Sequence, residues 1–440
     1  MESRPVAVRR REFLRLAALG LGVGAALPLA RAFAGLARAD EVGLDQIREA
    51  ARGIAGHVFR TPCLQAGRLS TKTKTKLFLK LENLQYTGAF KERGALNKML
   101  SLTAAARENG VIAASAGNHS QGVAYHAGRL GIRSFIIMPH GTPSNKIEKT
   151  KALGAEVTIE GDSFDQALAF ALDKGHREGL TFIHPFDDPL VIAGQGTVGL
   201  EMLEDVPDLD VLLIPIGGGG LISGCAAAAK ALKPGIKVFG VESKRYAAMR
   251  QRLRGQPVEV GGDTIAEGLA VHNVGELPFA MTRFLVDDVL LVEEETIEKA
   301  IALLFDQEKI VAEGAGAAGV AALLEHGALF EGRRIGIPIT GGNIDQRVYS
   351  NLLLRGLARD GRLVRISAAP PGGGDSFPKI ADLISKAEGV VIEVSHDYSL
   401  KAPSLKTPAY NLLVQTRDRA HADRLVEILI EEGFSAAITD

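Results

Sequence analysis

Six apolar residues, Val211-Leu212-Leu213-Ile214-Pro215-Ile216, run straight into four consecutive glycines, Gly217-Gly218-Gly219-Gly220, and then into the helix-like stretch from Ile222 to Leu232. A short continuous apolar run is the pattern of a strand buried on both faces, as in a parallel sheet covered by helices. Glycines at the junction let the backbone approach a ligand closely, and the N–H groups at the helix start suit a phosphate. A flexible linker would have polar flanks, and these flanks are apolar. A second junction repeats the design. Val111-Ile112-Ala113-Ala114 leads into Ser115-Ala116-Gly117-Asn118-His119 and the helix-like run Gln121 to His126. Its free N–H groups suit a carboxylate, although alone it reads more readily as an ordinary strand-to-helix turn.

Strand candidates at Leu77–Leu81, Ser134–Met138, Glu156–Ile159, Lys237–Val241 and Ile335–Ile339 extend the pattern, with helical segments such as Asn145 to Leu153 and Ser163 to Gly175 between them. Alternation of this kind implies βαβ crossovers and an α/β fold. The 440 residues suffice for two or three domains. With 51 basic against 52 acidic residues, and no tryptophan, there is neither a basic field nor a stacking platform for nucleic acid. Cys63 and Cys225 are too few for a disulfide framework or a structural zinc site.

One lysine stands in unusual company. In Thr87-Gly88-Ala89-Phe90-Lys91-Glu92-Arg93-Gly94-Ala95, Lys91 rises from a small apolar collar near a helix start. Desolvation lowers a lysine pKa and makes the amine a usable nucleophile. The alternative is a surface lysine on an amphipathic helix.

The lysine, the asparagine turn and the tetraglycine loop, in that order, resemble the fold-type II pyridoxal-phosphate enzymes, whose architecture is that of the tryptophan synthase β subunit. The nearest branch is that of threonine dehydratase (threonine ammonia-lyase) and serine racemase. Further matching segments are His184-Pro185-Phe186-Asp187, Ala193-Gly194-Gln195-Gly196-Thr197, Thr264-Ile265-Ala266-Glu267-Gly268, Ala312-Glu313-Gly314-Ala315-Gly316-Ala317 and Thr340-Gly341-Gly342-Asn343-Ile344-Asp345. The resemblance implies a catalytic block over residues 40–361, with a smaller inserted subdomain at about 111–186 and the cofactor in the cleft.

It also implies roles. Lys91 would hold pyridoxal 5′-phosphate through its amine and act as base on the substrate Cα, with Phe90 walling the cofactor. Asn118 would bond the ring oxygen, Gly217, Gly218, Gly219, Gly220 and Leu221 would cup the phosphate, and Thr340 would face the ring nitrogen. Ser115, Ala116, Gly117, Asn118 and His119 would hold the substrate carboxylate, with Glu313 lining the pocket. The implied substrate is a small hydroxy amino acid, L-threonine and also L-serine, deaminated to a 2-oxo acid. The implied assembly is a dimer or tetramer. Alternatives are a 3-hydroxyaspartate dehydratase, a serine racemase, or an amino-acid sensor on a relic fold. Ala116 stands where racemases of this branch carry a serine, which disfavours stereoinversion. Glu242 matches one ligand of that branch's divalent-metal site but Ala248 does not match the other, so no metal is expected.

Both ends differ in character. Residues 362–440 read as strand, helix, two strands, helix, strand, a βαββαβ unit resembling a ferredoxin-like ACT regulatory domain. The loop Pro370-Pro371-Gly372-Gly373-Gly374 replaces that family's compact turn, which weakens the expectation of an effector site. At the other end, Arg9-Arg10-Arg11-Glu12-Phe13-Leu14-Arg15, the apolar run Leu16 to Ala30 and Ala37-Arg38-Ala39 follow the order of an export signal, resembling the twin-arginine class. Residues 1–39 are therefore expected to be a signal peptide, leaving a periplasmic enzyme without a membrane span. A mis-assigned start would leave it cytoplasmic.

Overall fold

The computed structural model describes residues 42–370, 376–397 and 409–439. The export-like segment and residues 371–375 of the Pro/Gly loop lie outside them. The chain divides into two compact units, one ending at Asn343 and one beginning at Ile344.

In the first unit, ten strands follow in chain order: β1 (Cys63–Gln65), β2 (Lys76–Lys80), β3 (Val111–Ala114), β4 (Ser134–Met138), β5 (Glu156–Ile159), β6 (Thr181–Phe182), β7 (Val211–Pro215), β8 (Lys237–Ser243), β9 (Asp288–Val292) and β10 (Arg334–Pro338). They form a six-stranded sheet of order β1-β2-β10-β7-β8-β9 and a four-stranded sheet of order β5-β4-β3-β6. All neighbours are parallel except the β1–β2 pair. The smaller sheet is built wholly from residues 111–182, within the segment expected to be an inserted subdomain.

Burial on both faces explains the strand sequences. Val111, Ala113 and Ile136 face a core shared with Val123 and Ala127. Their neighbours Ile112, Ala114 and Ile137 face Ala167 and Ala171 on the other side. Six helices matter for the site: α1 (Lys91–Leu100), α2 (Asn118–Arg129), α3 (Ser144–Ala152), α4 (Pro189–Asp205), α5 (Gly220–Leu232) and α6 (Gly314–Glu325). Helix α4 starts with Pro189 behind Asp188, whose carboxylate accepts from the N–H groups of Leu190 and Val191, a preorganised first turn with its donors satisfied. Val198 and Met202 of α4 pack with Ile222 and Cys225 of α5 against Leu212 and Ile214 of β7.

The second unit holds helix α7 (Gln346–Arg359), then β11 (Leu363–Ala369), α8 (Phe377–Lys386), β12 (Val390–Asp397), β13 (Ala409–Gln415), α9 (Arg419–Glu431) and β14 (Ser435–Ile438). Its antiparallel sheet has the order β12-β13-β11-β14, a ferredoxin-like arrangement. Val364, Ile366, Leu412 and Val414 pack on Ile380, Ile384, Leu425 and Leu429 of its two helices. Helix α7, within the span expected to be catalytic, groups with this unit. Among the described residues, no helix is long and apolar enough to cross a membrane.

Candidate active site

The carboxyl ends of β3, β7 and β10 lead respectively into the asparagine turn, the tetraglycine loop and Thr340. Ligands of open parallel sheets bind beyond strand carboxyl ends. Lys91, the first residue of α1, is fixed to the end of β10 by its preceding turn. Phe90 N–H donates to the Thr340 carbonyl at 3.0 Å, Gly342 N–H donates to the Gly88 carbonyl at 2.9 Å, and Ala89 bridges Gly341. The Lys91 amine donates to the Pro185 carbonyl at 2.8 Å and lies 5.4 Å from the centre of the Phe90 ring, which flanks it. Burial lowers the Lys91 pKa to about 8 against the opposing pull of the Glu313 carboxylate. A substantial neutral fraction therefore exists near neutral pH, as a nucleophile or base requires.

Asn118 begins α2, and three chain segments set its orientation. Its Nδ2 donates to Glu313 Oε1 at 2.7 Å, while its Oδ1 accepts from Asn343 Nδ2 at 2.9 Å. Asn343 Nδ2 can only donate, so a flipped Asn118 amide would set two donors against each other and lose that bond. One Nδ2 hydrogen remains for a ligand. Asn343 also donates to the Thr87 carbonyl at 2.6 Å, beside the Lys91 turn. Glu313 thus acts on the site through Asn118. Its pKa is pushed up to about 7, mainly by burial and further by Glu267, with Asn118, Lys146 and Lys91 opposing. Asn343 sits in a motif visible in the sequence, but its partners are 225 and 256 residues away. Nothing in the sequence indicated its role.

The rest of the turn contributes backbone. The Ser115 hydroxyl accepts from Gly117 N–H at 3.2 Å and Ser120 donates to the Gly117 carbonyl at 2.6 Å. His119 turns its ring away, placing Nε2 2.8 Å from the Ile183 carbonyl. Burial and the nearby Lys91 press its pKa down to about 3, so the ring is neutral and only its main chain serves the turn. Ala116 packs against the core of the smaller sheet.

At the glycine loop, a Cβ on Gly218 would lie 2.1 Å from the Phe186 ring, and Gly219 has φ +94°. Both positions require glycine. The first N–H groups of α5 have no intrahelical acceptor, which leaves them for an anion. The Leu221 side chain belongs to the core, so only its N–H can take part. The neighbouring turn is held by His184, whose Nδ1 accepts from Phe186 and Asp187 N–H at 3.2 and 2.7 Å. Gly218→Ala is expected to lower stability by about 2 kcal/mol through overpacking and to weaken cofactor binding, checked by thermal unfolding and cofactor titration.

Thr340 is buried at the end of β10 with 3 % exposure. Glu242, the matched metal position, is engaged by backbone: its carboxylate accepts from Met249 and Arg250 N–H at 2.8 and 3.0 Å. Among the described residues no group of three His, Cys, Asp or Glu side chains could hold a metal ion.

A lysine amine of lowered pKa, a glycine cradle at a helix start and a fixed amide donor fit an aldehyde cofactor carrying a phosphate. These features define a two-sheet, parallel α/β enzyme whose lysine lies at the strand ends. Residues 54–341 match the family model described as pyridoxal-phosphate dependent enzyme, and the chain belongs to that family. Its relatives include an L-threonine ammonia-lyase from Thermotoga maritima, 41% identical over 399 residues, spanning 90% of this chain and 99% of the relative. Among solved structures, maize serine racemase matches with TM-score 0.68 and 36% identity, covering 72% of this chain and 98% of that one. Tomato threonine deaminase isoform 2, in its processed form, matches with TM-score 0.66 and 36% identity, covering 70% and 86%.

Proposed function

We propose that this chain is a pyridoxal-phosphate-dependent ammonia-lyase converting L-threonine to 2-oxobutanoate and ammonia, and L-serine to pyruvate and ammonia. The observation that carries the reading is the Lys91 amine, with a pKa of about 8, in the field of the same Glu313 carboxylate that accepts from the Asn118 amide. The likeness to an L-threonine ammonia-lyase over 90% of this chain supports the substrate.

When bound, the cofactor supplies the carbonyl that takes the substrate amine and an electron-withdrawing ring that acidifies Cα–H. The α2 N-terminus receives the substrate carboxylate, where its N–H groups point out of the turn. Lys91, neutral in part at physiological pH, takes the Cα proton. Glu313 and Asn343 hold Asn118 as a donor throughout. The β-hydroxyl leaves as water, and the released enamine takes up one water to give the 2-oxo acid and ammonia. Thr340 is uncharged and cannot keep a ring nitrogen protonated as a carboxylate would, which favours β-elimination. Ala116 has no proton to return to Cα, which disfavours racemisation. Ala116→Ser is accordingly expected to raise D-serine formation from L-serine measurably, checked by chiral analysis beside pyruvate release.

The second unit acts as an ACT-like module, for regulation or for dimerisation, and the enzyme is a homo-oligomer. Residues 1–39 direct export by the twin-arginine route, giving a periplasmic enzyme. Arg10→Lys with Arg11→Lys should then leave active protein in the cytoplasm. Wild-type protein found there with its first residues retained would refute the export reading.

A further inference from the structure

One helix start in the first unit is shared between two other segments of the site. The helix Glu276–Leu285 begins after Gly275, and the first N–H groups of a helix have no acceptor within it. Here the Glu276 and Leu277 N–H groups donate to the two carboxylate oxygens of Asp187 at 3.1 and 3.0 Å. Pro278, next in line, has no N–H to satisfy. The Gly275 N–H donates to the Gly218 carbonyl of the tetraglycine loop at 3.1 Å. Packing is close on both sides of this link. A Cβ on Gly275 would lie 2.9 Å from Asp187 Cβ, and one on Gly219 would lie 2.8 Å from Pro278 Cβ. Asp187 is held in turn by its own N–H, which donates to His184 Nδ1 at 2.7 Å.

The link sets the orientation of one peptide unit. In a trans peptide the carbonyl and the following N–H point opposite ways. Anchoring the Gly218 carbonyl to Gly275 therefore directs the Gly219 N–H away from the helix Glu276–Leu285. That peptide lies between two glycines, the second with φ +94°, so no side chain resists its rotation. Its orientation depends on an anchor outside the loop.

We propose that Asp187 is a positioning residue for the phosphate cup. By gripping the start of the helix Glu276–Leu285 it fixes the Gly218–Gly219 peptide with the Gly219 N–H aimed at the cofactor phosphate. This rests on the reading of the glycine loop as that cup. A carboxylate repels a phosphate at close range, so Asp187 acts through Gly275 and not by contact.

The test is a titration of the full chain, freed of cofactor, with pyridoxal 5′-phosphate and, separately, with pyridoxal, the same aldehyde without the phosphate. Binding is read from the absorbance change that Lys91→Ala removes. The wild type should hold the phosphorylated aldehyde far more tightly. Asp187→Ala should weaken pyridoxal 5′-phosphate about tenfold, the effect of one lost helix cap, and leave the affinity for pyridoxal unchanged. Asp187→Asn keeps an acceptor for the Leu277 N–H and should fall between. Gly275→Ala, whose Cβ would crowd Asp187, should show the same phosphate-selective loss. Unchanged affinity for pyridoxal 5′-phosphate in Asp187→Ala, with the wild type still preferring it to pyridoxal, would overturn the proposal alone. Equal losses for the two aldehydes would overturn it too, since general damage to the fold does not depend on the phosphate. A wild type with no preference for the phosphorylated aldehyde would instead defeat the glycine loop as the phosphate cup.

Discussion

Lys91→Ala is expected to abolish turnover and the visible absorbance of the lysine-bound cofactor while leaving the fold intact. The side chain's one hydrogen bond is to the Pro185 carbonyl at the edge of the cleft, so alanine removes little packing. The backbone bonds of Phe90 to Thr340 and of Gly342 to Gly88 that place the helix start are untouched. Loss of a nucleophile that also serves as base removes several orders of magnitude in rate. Absorbance, oxo-acid release and thermal unfolding of the same preparation separate chemistry from stability. Substantial activity in a pure variant would refute the assignment.

The largest effect on stability is expected two residues further on. Arg93 is fully buried and points the other way, into a cluster of charges. It reaches Glu82 through Nε and an Nη at 2.7 and 2.8 Å, and Glu201 through both Nη atoms at 2.7 and 2.9 Å. Further bonds run to Thr197 and to the Phe59 carbonyl. Lys80, also fully buried, lies 2.5 Å from Glu201. Burial raises the Glu82 pKa, but Arg93 beside it outweighs that and leaves the carboxyl below its ordinary value. The stability Glu82 contributes is thus present above the unfolded-state carboxylate pKa and lost as pH falls through the lower folded value. Arg93→Met leaves two carboxylates buried against one lysine, an excess negative charge that costs about 3–5 kcal/mol. Thermal unfolding should show a midpoint lowered by roughly 10 °C. An unchanged midpoint would mean that the cluster contributes nothing net. Because α1 is anchored by Arg93 and carries Lys91 at its start, this variant should also bind cofactor more weakly.

The parallel strands were legible because burial on both faces leaves no choice of residue. Val111–Ala114, Ser134–Met138 and Val211–Pro215 are continuous or nearly continuous apolar runs in the sequence and fully buried strands in the structure. Lys91, the asparagine turn and the glycine loop stand out in the sequence for a related reason, since each sits where a strand or turn enters a helix. Helix α4 was not. It carries Gly194, Gly196 and Gly199, which disfavour a helix intrinsically. The packing demands them: a Cβ on Gly194 would lie 2.6 Å from Gly94 Cα of α1. Tertiary contact there overrides propensity. The chain Thr87, Asn343, Asn118, Glu313 was equally hidden, because it joins four segments that only the fold brings together. The same holds for Arg93, whose carboxylate partners are 11 and 108 residues away.

Purified, cofactor-loaded protein should be given L-threonine and, separately, L-serine, with 2-oxo acid, ammonia and serine stereochemistry followed together. The account predicts 2-oxobutanoate and ammonia in equal amounts from L-threonine, and pyruvate forming faster than D-serine from L-serine. D-serine forming faster than pyruvate, or no oxo acid from L-threonine while the cofactor absorbance is intact, would contradict it.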